Sequence, residues 1–254
     1  MSTRNTAAVR HLVAKEGQLH RPPTGLPCYR TIIAVDVEGS TTKLNSAKAQ
    51  IRASMYELFE QALLEAGIAE QFRDPLVDRG DGILALVHPQ DTVPKTTILD
   101  TLVPSLGDLL AEHARQYPEV PLRMRIVVHA GEVHYDQKGC YGEALDLTFR
   151  LLDAPIVKRG LKQSDAPLVL VVSDGIYQSI IRHGYQTIDK NAYRTTFTVR
   201  VAGQRHRGWI QTSGAVCRTG AEGHSKDVPG ADESNCVPLP HAIVTRAPLE
   251  SQLA

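Results

Sequence analysis

The run Tyr29 to Val35 (Tyr-Arg-Thr-Ile-Ile-Ala-Val) ends in an acid and a glycine turn, Asp36-Val37-Glu38-Gly39-Ser40-Thr41. The β-branched run predicts a buried strand, so the fold must cover that strand. The acid at its end falls where a strand leaves the sheet, a position from which a carboxylate faces solvent or a ligand.

Downstream of this turn the hydrophobic period alternates. Ser46 to Ala66 carries Ile51, Met55, Leu58, Phe59, Ala62 and Leu63 at helical spacing. Leu76-Val77 and Ile83 to Val87 read as two short strands, joined by the turn Arg79-Gly80-Asp81-Gly82, whose glycines suit a tight hairpin. Thr96 to His113 predicts a second helix, kinked at Pro104. Leu122 to Val133 alternates, with Leu122, Met124, Ile126 and Val128 opposite Arg123, Arg125 and Val127, and predicts a strand. Gly142 to Leu152 predicts a third helix, stopped by Pro155. Pro167 to Val172 predicts another buried strand, after which Ser173 caps a helix through Ile181. Thr196 to Val201 and Gly208 to Ile210 predict a closing hairpin. The order β-α-β-β-α-β-α, plus additions, implies an α+β sandwich of the ferredoxin-like type, with helices on one face of a mainly antiparallel sheet.

Both ends differ from this middle. Residues 1–26 are polar, end in Arg21-Pro22-Pro23-Thr24-Gly25, and predict a flexible arm with one helical turn around Val9 to Val13. Residues 213–254 are rich in Gly, Ser, Asp and Pro and predict a disordered tail. The folded unit is expected over 27–212. Lys+Arg and Asp+Glu both number 28, so no polyanion-binding surface is indicated and nucleic acid is not expected as a partner. No apolar run approaches the roughly 20 residues that cross a bilayer. No signal-like segment opens the chain, so a cytoplasmic location without membrane attachment is expected. Cys28, Cys140, Cys217 and Cys236 form no Cys-x-x-Cys pair, which argues for free thiols over a zinc site.

Asp36 and Asp81 are the candidates for chemistry. If the first strand lies beside the hairpin, the two carboxylates converge next to a Gly-Ser-Thr turn. That turn and the helix after it offer N–H groups to a phosphate. Two such acids suit Mg2+ or Mn2+, which take few protein carboxylates and complete their shells with water and phosphate oxygens. The plainer alternatives are that Asp36 accepts turn hydrogen bonds, that Ser40 or Thr41 caps the helix, and that Asp81-Gly82 is an ordinary hairpin turn. His129 and His134 are five apart on one strand and its exit and face opposite ways, which does not suit a shared metal. Tyr29, Tyr56 and Tyr141 read as packing residues with a polar tip, although Tyr141 also stands where it can stack on a base.

Four blocks in order resemble the class III adenylate and guanylate cyclases: Asp36-Val37-Glu38-Gly39-Ser40-Thr41, Arg79-Gly80-Asp81-Gly82-Ile83-Leu84-Ala85-Leu86, Arg125-Ile126-Val127-Val128-His129-Ala130-Gly131-Glu132-Val133, and Gly142-Glu143-Ala144-Leu145-Asp146-Leu147-Thr148-Phe149-Arg150. The resemblance spans nearly the whole expected folded unit. It implies a homodimer with shared sites that turns a nucleoside triphosphate into a 3′,5′-cyclic mononucleotide and pyrophosphate. It also implies two Mn2+ or Mg2+ ions on Asp36, Asp81 and the backbone of Val37, a phosphate turn at Gly39, Ser40 and Thr41, and Arg150 stabilising the transition state.

Four positions depart from the family. Asp146 stands where the family has asparagine or histidine, four residues before Arg150, so the two acid–base partners can pair with each other on one helix. Val77 and Gly139 occupy the positions that read a purine base, and neither can hydrogen-bond to a base edge. The family's phosphate-holding lysine near the last hairpin is absent, with Arg200 or Arg205 as its replacement. The resemblance therefore points to the pyrimidine cyclases of bacterial antiphage signalling, with UTP as first candidate and a separate cyclic-nucleotide receptor as the downstream partner. A purine cyclase, and a silent cyclase-fold nucleotide sensor or dimerisation module, remain as alternatives.

Overall fold

The computed structural model describes residues 25–211. The helical turn expected near Val9, the tail expected over 213–254, Cys217 and Cys236 lie outside the described residues, as do all but the last two residues of the expected arm.

The opening run forms β1 (Cys28–Val37), which extends through Asp36. It lies between β3 (Gly82–Val87) and β4 (Met124–Tyr135), antiparallel to both, with Asp36 opposite Gly82 on one side and Arg125 on the other. β2 (Val77–Asp78) flanks β3. β4 pairs in parallel with β6 (Leu168–Ser173), which is followed across the sheet by β8 (Gln204–Ile210) and β7 (Thr195–Val201). The order is β2-β3-β1-β4-β6-β8-β7, and the two-residue β5 (Cys140–Tyr141) pairs with the end of β4. The sheet is mostly antiparallel, as the sequence implies.

Helices cover both faces rather than one. Ile33, Val35 and Val37 join α1 (Asn45–Glu65) and α2 (Val103–Gln116) in one core, with Met55, Phe59, Ala62 and Leu106 fully buried. Ile32 and Ala34 face a second core built with α3 (Glu143–Leu152) and α4 (Pro155–Gln163). Alternating β1 residues are thus buried on opposite sides, which is why the run lacks a polar face. Each fully buried Leu, Ile, Phe or Met contributes about 1.5–3 kcal/mol, so neither face is dispensable.

Three boundaries differ from the expectations. Pro155 begins α4 as well as ending α3: its fixed φ suits a first helical position, and Val157 and Leu161 bury an i,i+4 stripe. The expected kink at Pro104 takes the form of a π-helical segment, Ile98–Leu102, running into α2. Pro104 has no N–H to donate and its ring crowds the carbonyl four residues back, so the spacing widens there. Ser173 sits at the start of α5 (Asp174–Ser179) with extended backbone, but its side chain makes no capping bond. Its Oγ instead meets His129 Nδ1 at 2.8 Å.

Within α5, Tyr177 stacks on Trp209 of β8 with ring centroids 3.5 Å apart, and Asp174 accepts from Trp209 Nε1 at 2.9 Å. No helix among the described residues is long and apolar enough to cross a membrane. Cys28 and Cys140 are free thiols.

Candidate active site

Strand register brings the two predicted acids together. Val37 donates its N–H to the Asp81 carbonyl at 3.0 Å, which ties the end of β1 to the β2–β3 hairpin. Gly82 makes that approach possible: a Cβ there would lie 2.4 Å from the Val35 carbonyl oxygen. The register sets Asp81 next to Gly82, the residue opposite Asp36.

Asp36 lies on the α3 face of the sheet, with its side chain only 16% exposed. Its Oδ2 accepts from Arg125 Nη2, while its Oδ1 is buried with no hydrogen-bond partner. Burial is the main reason its pKa rises to about 6, the Arg125 charge opposing it. Arg125 is buried as well, and its Nε and Nη1 have no partner. An orphaned acceptor and two orphaned donors therefore sit side by side, whereas the other partnerless buried atoms, on Arg73, His113, Arg123 and His206, occur one to a residue. Asp81 Oδ2 accepts from Ser40 Oγ.

The Gly-Ser-Thr turn differs in detail from its expectation. Ser40–Thr42 forms a short 3-10 turn and α1 begins later, at Asn45, with Leu44 as its N-cap and no side-chain cap. Neither Ser40 nor Thr41 caps α1, and the helix N-terminus does not adjoin the turn. Among the described residues, no acceptor takes the N–H groups of Gly39, Ser40 or Thr41.

Asp146 and Arg150 are both exposed on α3. Among the described residues no hydrogen bond or ion pair joins them to each other, to Asp36 or to Asp81, so the expected i,i+4 pair does not form. The helix itself is held close to the sheet: a Cβ at Gly131 would meet Ala144 Cβ at 2.7 Å. Val77 is half-buried against the α3-side core. Gly139 closes a turn in which Asp136 Oδ1 accepts from the N–H groups of Lys138 and Gly139 at 2.7 and 2.9 Å. Arg200 and Arg205 face each other at the tip of the β7–β8 hairpin.

His129 and His134 share no site. Burial, with His206 adding a smaller effect, lowers the His129 pKa to about 4, and His134 stacks on Tyr141 at 5.3 Å. Tyr141 remains 53% exposed beside the start of α3.

Arg125 is the residue that sequence reasoning misses. Alternation makes it the polar half of its strand, yet Val127 on the same face is fully buried. A charge on a buried face demands a partner, and the acid at the end of the neighbouring strand supplies it.

No family model matches the sequence, and no curated protein matches it. Solved structures do match. The guanylyl cyclase Cya2 aligns with a TM-score of 0.53 at 17% identity, over 77% of this chain and 97% of that one. An adenylate/guanylate cyclase/hydrolase from Silicibacter pomeroyi aligns with a TM-score of 0.52 at 17% identity, over 74% of this chain and 99% of that one. The chain has the nucleotide cyclase fold. At this identity the likeness speaks for the architecture alone, and the chemistry has to be argued from the residues placed on that cyclase fold.

The donor set fits small divalent cations. Among the described residues no group of three or more His, Cys, Asp or Glu forms a cage. Asp36, with one bare buried oxygen, and Asp81 are the acids that could hold Mg2+ or Mn2+, which take few protein carboxylates when phosphate oxygens complete the shell.

Proposed function

We propose that the chain is a nucleotide cyclase, converting a nucleoside triphosphate to a 3′,5′-cyclic mononucleotide and pyrophosphate. The observation that carries this reading is the backbone tie that sets the Asp81 hairpin beside the end of β1, where Asp36 Oδ1 is left bare beside the unpaired Arg125 donors. In the reaction the ribose 3′-hydroxyl releases its proton to solvent and its oxygen bonds to the α-phosphorus, while the bond from that phosphorus to the α–β bridging oxygen breaks and pyrophosphate carries the electron pair away. Asp36, Asp81 and the Val37 backbone would hold two Mn2+ or Mg2+ ions, which when bound neutralise phosphate charge and favour ionisation of the 3′-hydroxyl. Arg125 offers its free N–H groups to an oxygen of the triphosphate, and the N–H groups of Gly39, Ser40 and Thr41 offer three more.

Arg150, exposed on α3 and unpaired with Asp146, is available to the site of a second copy, which supports a homodimer with shared sites. Val77 and Gly139 bring no polar side chain to the base, which favours a pyrimidine, UTP first. A cyclic pyrimidine nucleotide acting through a separate receptor would place the chain in antiviral signalling. The reading also expects a cytoplasmic protein.

A silent nucleotide sensor is the second reading. It is favoured by the donors already seated on the two acids, Arg125 on Asp36 and Ser40 on Asp81, and by a carboxylate at position 146.

The test is to incubate the protein with ATP, GTP, CTP and UTP separately in the presence of Mn2+ and to identify products by mass spectrometry. A cyclic mononucleotide from UTP is expected. No product from any triphosphate, with nucleotide still bound, would favour the sensor. Mixing an Asp81→Ala protein with an Arg150→Ala protein should restore part of the activity if sites are shared.

A further inference from the structure

The hairpin that presents Asp81 has little ladder of its own, because β2 is two residues long. Its turn is held internally by Arg79 N–H to the Gly82 carbonyl at 2.9 Å and by Gly80 N–H to Asp78 Oδ1 at 2.6 Å. Val37 N–H and Ser40 Oγ hold Asp81 from the β1 side, on its carbonyl and its Oδ2, and a further restraint comes from α1. Arg52 Nη1 donates to Asp78 Oδ1 at 3.0 Å, its Nη2 donates to Asp78 Oδ2, and Nη1 also donates to the Gly80 carbonyl. The guanidinium lies 5.7 Å from the centre of the Tyr56 ring, one helical turn on. The base of this arm is fixed, since Ile51 and Met55 of α1 are buried in the core.

Arg52 also lines an opening of about 250 Å³ between α1 and the hairpin, whose walls include Ser40, Thr41, Lys48, Gly80 and Asp81. The Arg52 and Asp78 side chains are 36% and 54% exposed. An ion pair so exposed adds little to stability, whereas its forked geometry fixes direction. We propose that Arg52 and Asp78 are positioning residues that hold the hairpin so that Asp81 meets Asp36 at the cation site. This rests on the reading of Asp36 and Asp81 as cation ligands.

The test is Mn2+ binding by the full chain without nucleotide, read from the electron paramagnetic resonance signal of free Mn2+, beside calorimetric melting. Arg52→Ala and Asp78→Ala should each weaken Mn2+ binding about tenfold, the effect expected of a residue that orients a ligand, with little change in Tm. Arg52→Lys should recover only part of the affinity, having lost the fork. Exchanging the two, Arg52→Asp with Asp78→Arg, should recover more than either single change. Unchanged Mn2+ affinity in both alanine variants, while Asp81→Ala weakens it, would overturn the positioning role and leave the cation site standing. An effect of Arg52→Ala that Asp78→Ala does not share would also overturn it, and would point to Arg52 acting on a ligand directly. If wild type and Asp81→Ala bind Mn2+ equally poorly, the cation site itself fails and the positioning role with it.

Discussion

Two carboxylates lie near opposite ends of β1, and each faces an arginine of that strand or its neighbour, yet they are treated differently. At one end Asp74 is buried and fully served: Arg30 Nε donates to Oδ2 at 3.3 Å, Tyr135 OH to the same oxygen at 2.5 Å, and His88 Nε2 meets Oδ1 at 2.9 Å. Burial first, and the Asp74 contact second, push the Tyr135 phenol well above its usual range, so it stays a donor. At the other end, about 20 Å along the strand, Asp36 has Arg125 on one oxygen and nothing on the other. A satisfied buried network specifies structure, while an unsatisfied one calls for an explanation, which at the Asp36 end is the proposed cation.

The largest expected effect separates the ends by activity. Asp36→Asn, which keeps an acceptor for Arg125, or Asp81→Ala should lower turnover by roughly three orders of magnitude or more in a cyclase assay, with the circular dichroism spectrum kept. Full activity in either variant would break the assignment. Asp74→Ala should do the reverse. It strands Arg30, a buried charge, and should cost about 3–5 kcal/mol in urea unfolding, while the folded fraction keeps its activity. A stable Asp74→Ala protein would end the contrast.

Between the two ends lies His129, opposite Ile32 on the same face. Its folded pKa is depressed to about 4, so the unfolded chain takes up a proton first as pH falls below about 6.5. Stability should therefore decline from pH 6.5 toward 4 by up to on the order of 3 kcal/mol, and His129→Gln should flatten that decline in urea titrations.

The smallest effect sharpens the Asp36 end. Its raised pKa means that its contribution to stability is full below the unfolded value and is lost as pH rises through about 6. Added Mn2+ should then raise Tm by a few degrees more at pH 7.5 than at pH 5, and the difference should vanish in Asp36→Asn.

Much of this is legible in the sequence, for reasons that can be named. The β-branched run, the amphipathic spacing of α1 and the Gly-Asp-Gly turn each encode a local structure, and strand order then brings Asp36 and Asp81 together. What stays hidden is non-local. Arg125 reads as a solvent-facing residue because alternation alone does not reveal whether the second face is covered. Ser173 has the character of a cap, but the adjacent strand offers its hydroxyl a histidine nitrogen. Helix α4 is obscured by Pro155 and Gly160, residues more often found at helix ends. The Arg52 fork joins residues 26 apart in sequence, and no local pattern announces it.

The chain contains a single tryptophan, and the structure gives it a use in the laboratory. Trp209 lies flat against Tyr177 with its indole nitrogen fixed on Asp174, in the half of the sheet formed by β6, β8 and β7. Its emission should shift when that stack opens, and among the described residues its ring and hydrogen-bond partners are Tyr177, Asp174 and Arg207 rather than the Asp36 cluster. Intrinsic fluorescence thus offers a built-in reporter of whether the scaffold is closed, against which a silenced site can be told apart from an unfolded protein in the same cuvette.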